Sequence, residues 1–199
     1  MLTALTCTHA TFETVEAAHH AGMTHAAHFY NAMPVVYKEH EFKVPGTVES
    51  VYALQDMTVE TIADGIHVPP VMLHVVYQIK GVEKMALITD SLAYAACNGE
   101  VTCEPRVILE DGVCKLADHS ALAGSIATMD TLIRTCILKA DIPMIDVFRM
   151  ASETPAKIMG VFDRKGSIEE GKDADIIMFD KDINLTYVMQ MGHEKTNCL

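Results

Sequence analysis

Four polar residues follow apolar, strand-like runs, and each can bind a metal ion or transfer a proton: His9, His28, His67 and Asp90. Neutral imidazoles bind divalent transition metals well, and two imidazoles with a carboxylate leave a coordination position open for water. An aspartate beside such a water can accept its proton and later protonate a leaving group. The residue types and their positions therefore indicate a metal-dependent hydrolase.

Each position also has a purely structural interpretation. A histidine at a strand end is often only a polar residue at the rim of a sheet. Asp90 can cap a helix or close a turn, and Asp64 is expected to shape the turn with Gly65. His9 and His28 lie one short strand-helix-strand repeat apart, which favours a pair. The other histidines, His25 among them, are expected at the surface or in helices.

Strand-like and helix-like segments alternate along the chain, as a parallel α/β sheet requires. Strands are predicted at residues 2–7, 24–27, 57–63 and 84–89, with helices starting at Thr11, near Val48 and at Pro69-Pro70. Asp111-Gly112 predicts a β-hairpin over residues 101–116. Three more helices and then strands at 176–179 and 185–191 complete the prediction. Polar groups at successive strand ends are typical of a parallel α/β barrel.

Composition limits the class of protein. The 199 residues are 50% hydrophobic, enough for a substantial core, and the net charge of -12 disfavours broad contact with nucleic acid or anionic membranes. No apolar run approaches the ~20 residues that span a bilayer, and no basic start precedes a cleavable apolar stretch. The six cysteines show no paired spacing and are predicted to be unlinked thiols. We therefore expect a soluble cytoplasmic protein.

Four motifs together resemble a known enzyme family. They read Ala-His-Phe-Tyr-Asn-Ala-Met-Pro at 27–34, Ile-Ala-Asp-Gly-Ile-His-Val at 62–68, Leu-Ile-Thr-Asp at 87–90 and Leu-Ala-Gly-Ser at 122–125. In this combination they resemble the N-acetylglucosamine-6-phosphate deacetylases of the amidohydrolase superfamily. The similarity runs through nearly the whole chain and includes the Gly-Lys-Asp-Ala-Asp segment at 171–175.

The resemblance implies a role for each motif residue. His9 and His28 match the two metal-binding histidines, which implies a divalent cofactor, zinc or iron. Asp90 matches the catalytic aspartate that takes a proton from the attacking water and gives it to the departing amine. The products are acetate and glucosamine 6-phosphate. The implied substrate contacts are Asn31, Ala32, His67, Leu122, Ala123 and Gly124.

One departure from the family concerns the phosphate. The family usually shows Arg-Glu-Pro-Gly where this chain has Lys43-Val44-Pro45-Gly46, so Lys43 is expected to replace the arginine as a point charge without its bidentate fork. Family members are typically dimers in which an arginine from the neighbouring subunit helps to hold the phosphate. A homodimer is therefore one expectation for this chain.

A second departure is length, because a complete (β/α)8 barrel needs ~250 residues. The resemblance implies an α/β fold that is the C-terminal half of a TIM-type metallo-dependent hydrolase barrel over residues 1–160. The strands of a small β-sandwich domain are expected in residues 161–199. A half-barrel exposes sheet edges, so association with the missing barrel half is the other expectation. Another amidohydrolase, such as a deaminase or cyclic-amide hydrolase, and a non-catalytic barrel fragment remain as alternatives.

Overall fold

The structure is a computed structural model that describes residues 1–95 and 105–195. Its strands are Ala4–Leu5 (β1), His25–Ala26 (β2), Tyr37–Glu39 (β3), Phe42–Val44 (β4), Thr58–Ile62 (β5), Met85–Ile88 (β6), Val107–Glu110 (β7), Val113–Leu116 (β8), Ile176–Phe179 (β9), Leu185–Gln190 (β10) and His193–Glu194 (β11). Its helices are Phe12–His20 (α1), Thr47–Ala53 (α2), Pro70–Lys80 (α3), Met129–Leu138 (α4), Met144–Ala151 (α5) and Glu153–Ile158 (α6).

A four-stranded parallel sheet carries the helices and the strand ends of interest. Its order is β1-β2-β5-β6, which is sequence order, and helices α1, α2 and α3 connect its strands. The core contains fully buried side chains from the sheet and from α1 to α5: Val15, Val51, Val59, Leu73, Met85, Leu132 and Val147. The predicted alternation of parallel strands and helices is confirmed.

Local sequence signals explain where the connecting helices begin and end. Thr11 caps α1 by accepting a hydrogen bond from the backbone N–H of Thr14 at 3.4 Å, and Gly22 follows that helix at a φ of +101°. Pro70 occupies the first turn of α3. The buried Lys80 at the end of α3 donates to three carbonyl oxygens between the last turn of α2 and the start of β5, those of Val51, Leu54 and Met57, at 2.7, 3.0 and 3.1 Å.

The first strand is shorter and more exposed than the sequence predicts. Residues 2–7 read as a buried strand, but only Ala4–Leu5 form one and only Leu5 is buried. The reason is that β1 lies at the edge of the sheet and pairs with β2 on one side. On its other side, β1 has no strand partner among the described residues. The prediction of a buried strand over residues 2–7 was therefore wrong in extent.

Two hairpins leave the parallel sheet. The hairpin of β7 and β8 confirms the turn at Asp111-Gly112, whose φ angles of +53° and +74° suit a two-residue turn. Part of that predicted segment, residues 101–104, lies outside the described residues. The sequence did not predict the hairpin of β3 and β4, which pairs Lys38 with Lys43 in the loop between β2 and α2.

The C-terminal strands form a separate antiparallel sheet in the order β11-β10-β9. Phe179 of β9 stacks on Phe148 of α5 with ring centroids 4.8 Å apart, and Arg134 of α4 donates to the carbonyl oxygen of Ile183 at 2.9 Å. These contacts hold the small sheet against the helices. The predicted strands are present, and a domain boundary at residues 160/161 stays a prediction. Within the described ranges, no helix combines the length and the apolarity that crossing a bilayer demands.

Candidate active site

The carboxyl ends of the four parallel strands share a local geometry. Two residues after β1, β2, β5 and β6 come Cys7, His28, Asp64 and Asp90, respectively. Cys7, His28 and Asp90 have φ angles of +40°, +31° and +47°, and Gly65 after Asp64 has +81°. Such conformations cost a non-glycine residue about 1–3 kcal/mol each and cluster at active sites. One edge of the sheet therefore carries a row of polar residues on strained backbone.

His28 has close neighbours from the loop after β1. Its Nε2 lies 2.9 Å from the hydroxyl of Thr6 and 3.5 Å from the sulfur of Cys7. Its Nδ1 is buried and has no hydrogen-bond partner among the described residues. His9 does not supply these contacts and lies exposed on the loop before α1. Its predicted role as a ligand stays a prediction.

The carboxylate of Glu60, which the sequence analysis did not single out, contacts the backbone of His28. Glu60 of β5 accepts a hydrogen bond from the backbone N–H of His28 at 3.4 Å, and its other oxygen lies 3.2 Å from Nε2 of His25. Burial raises the pKa of Glu60, but the hydrogen bonds from His25 and His28 outweigh it and hold the pKa below its ordinary value. His25 is only 3% exposed and its Nδ1 lies 2.8 Å from the hydroxyl of Thr58, so its expected surface position was wrong.

Asp64 and His67 form a tight buried pair after β5. One oxygen of Asp64 accepts the backbone N–H groups of Ile66 and His67, both at 2.8 Å, and the other lies 2.7 Å from Nδ1 of His67. Burial raises the pKa of Asp64, but the hydrogen bonds from His67 and Ile66 outweigh it and hold the pKa below its ordinary value. Because a carboxylate only accepts, Nδ1 carries a proton, and the buried Nε2 has no partner in the described part of the chain.

The candidate substrate residues of the loop after β2 differ in setting. Asn31 is half-buried, and its amide donates to the carbonyl oxygen of His28 at 3.2 Å. Ala32 is exposed with a φ of +51°. Lys43 is exposed on β4, directly opposite Lys38. Like charges at opposed positions of a β-ladder repel, and Glu39 and Glu41 of the same hairpin balance the two lysines in formal charge.

The structure brings the segment of Leu122, Ala123 and Gly124 next to Asp90. The N–H of Ser125 donates to the carbonyl oxygen of Asp90 at 3.0 Å, and the N–H of Ala123 donates to that of Cys114 at 2.9 Å. Gly124 has a φ of +70°, and a Cβ there would lie 3.3 Å from the carbonyl oxygen of Asp90. These contacts fix the backbone of Asp90, while its side chain is exposed at the strand end.

The donors at this edge suit a transition metal in type but do not form a complete site. Imidazole and thiolate ligands fit zinc, and His28 combines a buried Nδ1 without a partner with a thiol next to Nε2. Across residues 1–95 and 105–195, no three His, Cys, Asp or Glu side chains are grouped closely enough to hold a metal ion. The described residues therefore fit part of a metal site.

Known proteins show what this arrangement is similar to. The profile of the amidohydrolase family matches residues 3–196. An N-acetylglucosamine-6-phosphate deacetylase of Bacillus subtilis is 34% identical over 87% of this chain and 43% of its own length. An N-acetylgalactosamine-6-phosphate deacetylase of a Shewanella species is 28% identical over 90% of this chain and 45% of its own.

A crystal structure of N-acetylglucosamine-6-phosphate deacetylase from Pasteurella multocida superposes on 99% of this chain and 51% of its own, with a TM-score of 0.89 and 28% identity. The chain thus spans about half the length of the relatives it matches. Its mixed α/β fold is that of these barrel enzymes. Because the family profile covers nearly every residue, the chain belongs to the amidohydrolase family.

Proposed function

We propose that this chain is the C-terminal half of an amidohydrolase barrel that deacetylates N-acetylglucosamine 6-phosphate to glucosamine 6-phosphate and acetate. The row of polar residues at the four strand ends carries the proposal, because Asp90, His28 and the buried pair of Asp64 and His67 all follow strands of one parallel sheet at the same edge. The names of the Bacillus subtilis and Pasteurella multocida proteins supply the substrate. In the cell, the proposed location is the cytoplasm.

Asp90 is the proposed general base and acid. Its backbone is held by Ser125 and its carboxylate is exposed at the end of β6, so it can accept a proton from an attacking water and return it to the amine that leaves. A divalent zinc or iron ion, held with His9 and His28, would supply Lewis acidity when bound. Glu60 holds the backbone of His28, which fixes where that imidazole can lie.

The remaining residues are proposed to bind the sugar phosphate. The buried Nε2 of His67 is available to a ligand, and Lys43 adds positive charge from the hairpin of β3 and β4. Asn31 and Ala32 lie three and four residues after His28 and are proposed to contribute from the same loop. Leu122, Ala123 and Gly124, which lie in the segment beside Asp90, are proposed to line the substrate pocket. The half-barrel is proposed to work as a homodimer or with a second barrel half.

Acetate release from N-acetylglucosamine 6-phosphate, with Zn²⁺ or Fe²⁺ supplied, tests the proposal. Release is expected to be lost in Asp90→Asn, while binding of the phosphate ester, followed by calorimetry, persists. His67→Asn is expected to weaken that binding. The 4-epimer is the second substrate to assay, because a Shewanella relative is named for N-acetylgalactosamine 6-phosphate. Equal binding of the free sugar and of its phosphate ester would contradict the phosphate assignment.

A further inference from the structure

We infer that Cys7 is a metal ligand of this chain and that it occupies the place beside His28. The inference rests on the proposed metal site and assigns a residue of that site that the motifs do not mark. It follows from the register of β1 and β2, from the distance between the sulfur of Cys7 and Nε2 of His28, and from the chemistry of these two side chains.

Strand register aligns Cys7 with His28. In the parallel ladder of β1 and β2, Leu5 pairs with Ala26. Two residues further along each strand direction lie Cys7 and His28, both with positive φ. His9 lies two residues beyond that level, on the exposed loop that leads to Thr11. The sheet therefore brings the thiol of Cys7 beside His28.

The distance between the sulfur of Cys7 and Nε2 of His28 suits two ligand atoms that share one metal ion. Zinc binds imidazole nitrogen at about 2.0–2.1 Å and thiolate sulfur at about 2.3 Å, so two such ligands at a tetrahedral angle lie about 3.6 Å apart. The sulfur of Cys7 lies 3.5 Å from Nε2 of His28. The hydroxyl of Thr6 lies 2.9 Å from the same nitrogen and holds the ring in this orientation. Metal binding would replace that contact.

The surroundings of Cys7 also suit a ligand with an open coordination position. The residue is exposed, so an ion bound to its sulfur would stay accessible to water. By contrast, Cys136 is buried within α4, and burial raises the pKa of its thiol to about 12. A buried apolar setting of that kind makes a thiol inert, and so Cys136 is a suitable control.

Cobalt(II) substitution tests the inference without substrate, because thiolate-to-cobalt charge transfer gives a near-ultraviolet absorption band that imidazole and carboxylate ligands do not. The metal-free full chain, kept reduced with a phosphine, is titrated with Co²⁺. We expect the band in the wild type and in Cys136→Ala. Cys7→Ser should lose it and weaken Co²⁺ binding by more than about tenfold, since even outer-sphere partners cost about 10–100-fold.

Cys7→His provides the rescue variant. It should restore Co²⁺ affinity without the charge-transfer band, a result that a merely structural thiol would not produce. The inference is overturned when the wild type binds Co²⁺ without the band, when Cys7→Ser keeps the band, or when His9→Asn loses affinity and Cys7→Ser does not. Each of these results leaves the proposed deacetylase reaction to be judged separately by acetate release.

Discussion

Replacing Asp64 with asparagine is expected to move the proton of the His67 imidazole from Nδ1 to Nε2. The amide oxygen of Asn can still accept the two backbone N–H groups that Asp64 binds at 2.8 Å. Its NH₂ group would then face Nδ1 of His67, which lies 2.7 Å from the present carboxylate oxygen. Because an amide NH₂ only donates, Nδ1 must accept from it and therefore carry a lone pair. The ring proton then lies on Nε2.

The expected loss of stability follows from the same contacts. A hydrogen bond to a charged group contributes about 1.5–3 kcal/mol and one between neutral groups about 0.5–1.5 kcal/mol. Since Asp64 and His67 have side chains only 5% and 4% exposed, solvent screening is weak. Each bond is weakened by about 1–1.5 kcal/mol, so we expect the free energy of unfolding to fall by about 3–4 kcal/mol in Asp64→Asn, as three charge-assisted bonds become neutral ones.

Long-range ¹⁵N–¹H NMR of the histidine rings measures the tautomer, with His67→Gln to assign the signal, and urea unfolding measures stability. Asp56→Asn is the matched control, because Asp56 lies 3.0 Å from Nε2 of His19 and its carboxylate, unlike that of Asp64, is exposed to solvent. That control should change stability by less than about 0.5 kcal/mol. An unchanged His67 tautomer, or equal losses in the two variants, would refute the reasoning.

Three further outcomes are expected from urea unfolding. Lys80→Met removes three buried hydrogen bonds to carbonyl oxygens, so it should lower the free energy of unfolding by about 2–4 kcal/mol; a loss below 1 kcal/mol contradicts this role. Gly46→Ala would put a Cβ 2.2 Å from the carbonyl oxygen of Pro34 and should cost about 1–3 kcal/mol; an unchanged midpoint would show that the loop yields freely. Asp64 and Glu60 have lowered pKa values in the folded chain, so the unfolded chain binds protons more readily. The free energy of unfolding should therefore decrease as the pH is lowered below about 4.5; a urea midpoint that does not change between pH 6 and pH 3 would disprove this.

The sequence predicted the elements that bury an apolar face and missed one that does not. Strand β5 and helix α3 follow from hydrophobic alternation and from Pro70, and both lie where expected. The hairpin of β3 and β4 has exposed strands, so it leaves no burial pattern to read. Its turn uses His40 at a φ of +54° where a glycine would have given a signal.

The motifs predict which strand ends carry chemistry, whereas strand register decides which residue at each end contacts the neighbouring strand end. A strand predicted over residues 2–7 makes His9 the first residue beyond it with a side chain that readily binds a transition metal. The observed β1 ends at Leu5, because an edge strand with one partner stops where its pairing stops. That difference of two residues turns Cys7 toward His28. Sequence spacing alone cannot determine this, since pairing depends on contacts across the sheet.

Asp64 shows how a structural and a functional interpretation of one residue can both apply. Its first oxygen closes the turn after β5, as the sequence predicts for an Asp-Gly pair. Its second oxygen binds Nδ1 of His67 and leaves the buried Nε2 as the ring atom available to a ligand. A turn that only reversed the chain would need no buried histidine. The contact that closes the strand end therefore also sets which ring nitrogen of His67, the proposed phosphate-binding group, carries the proton.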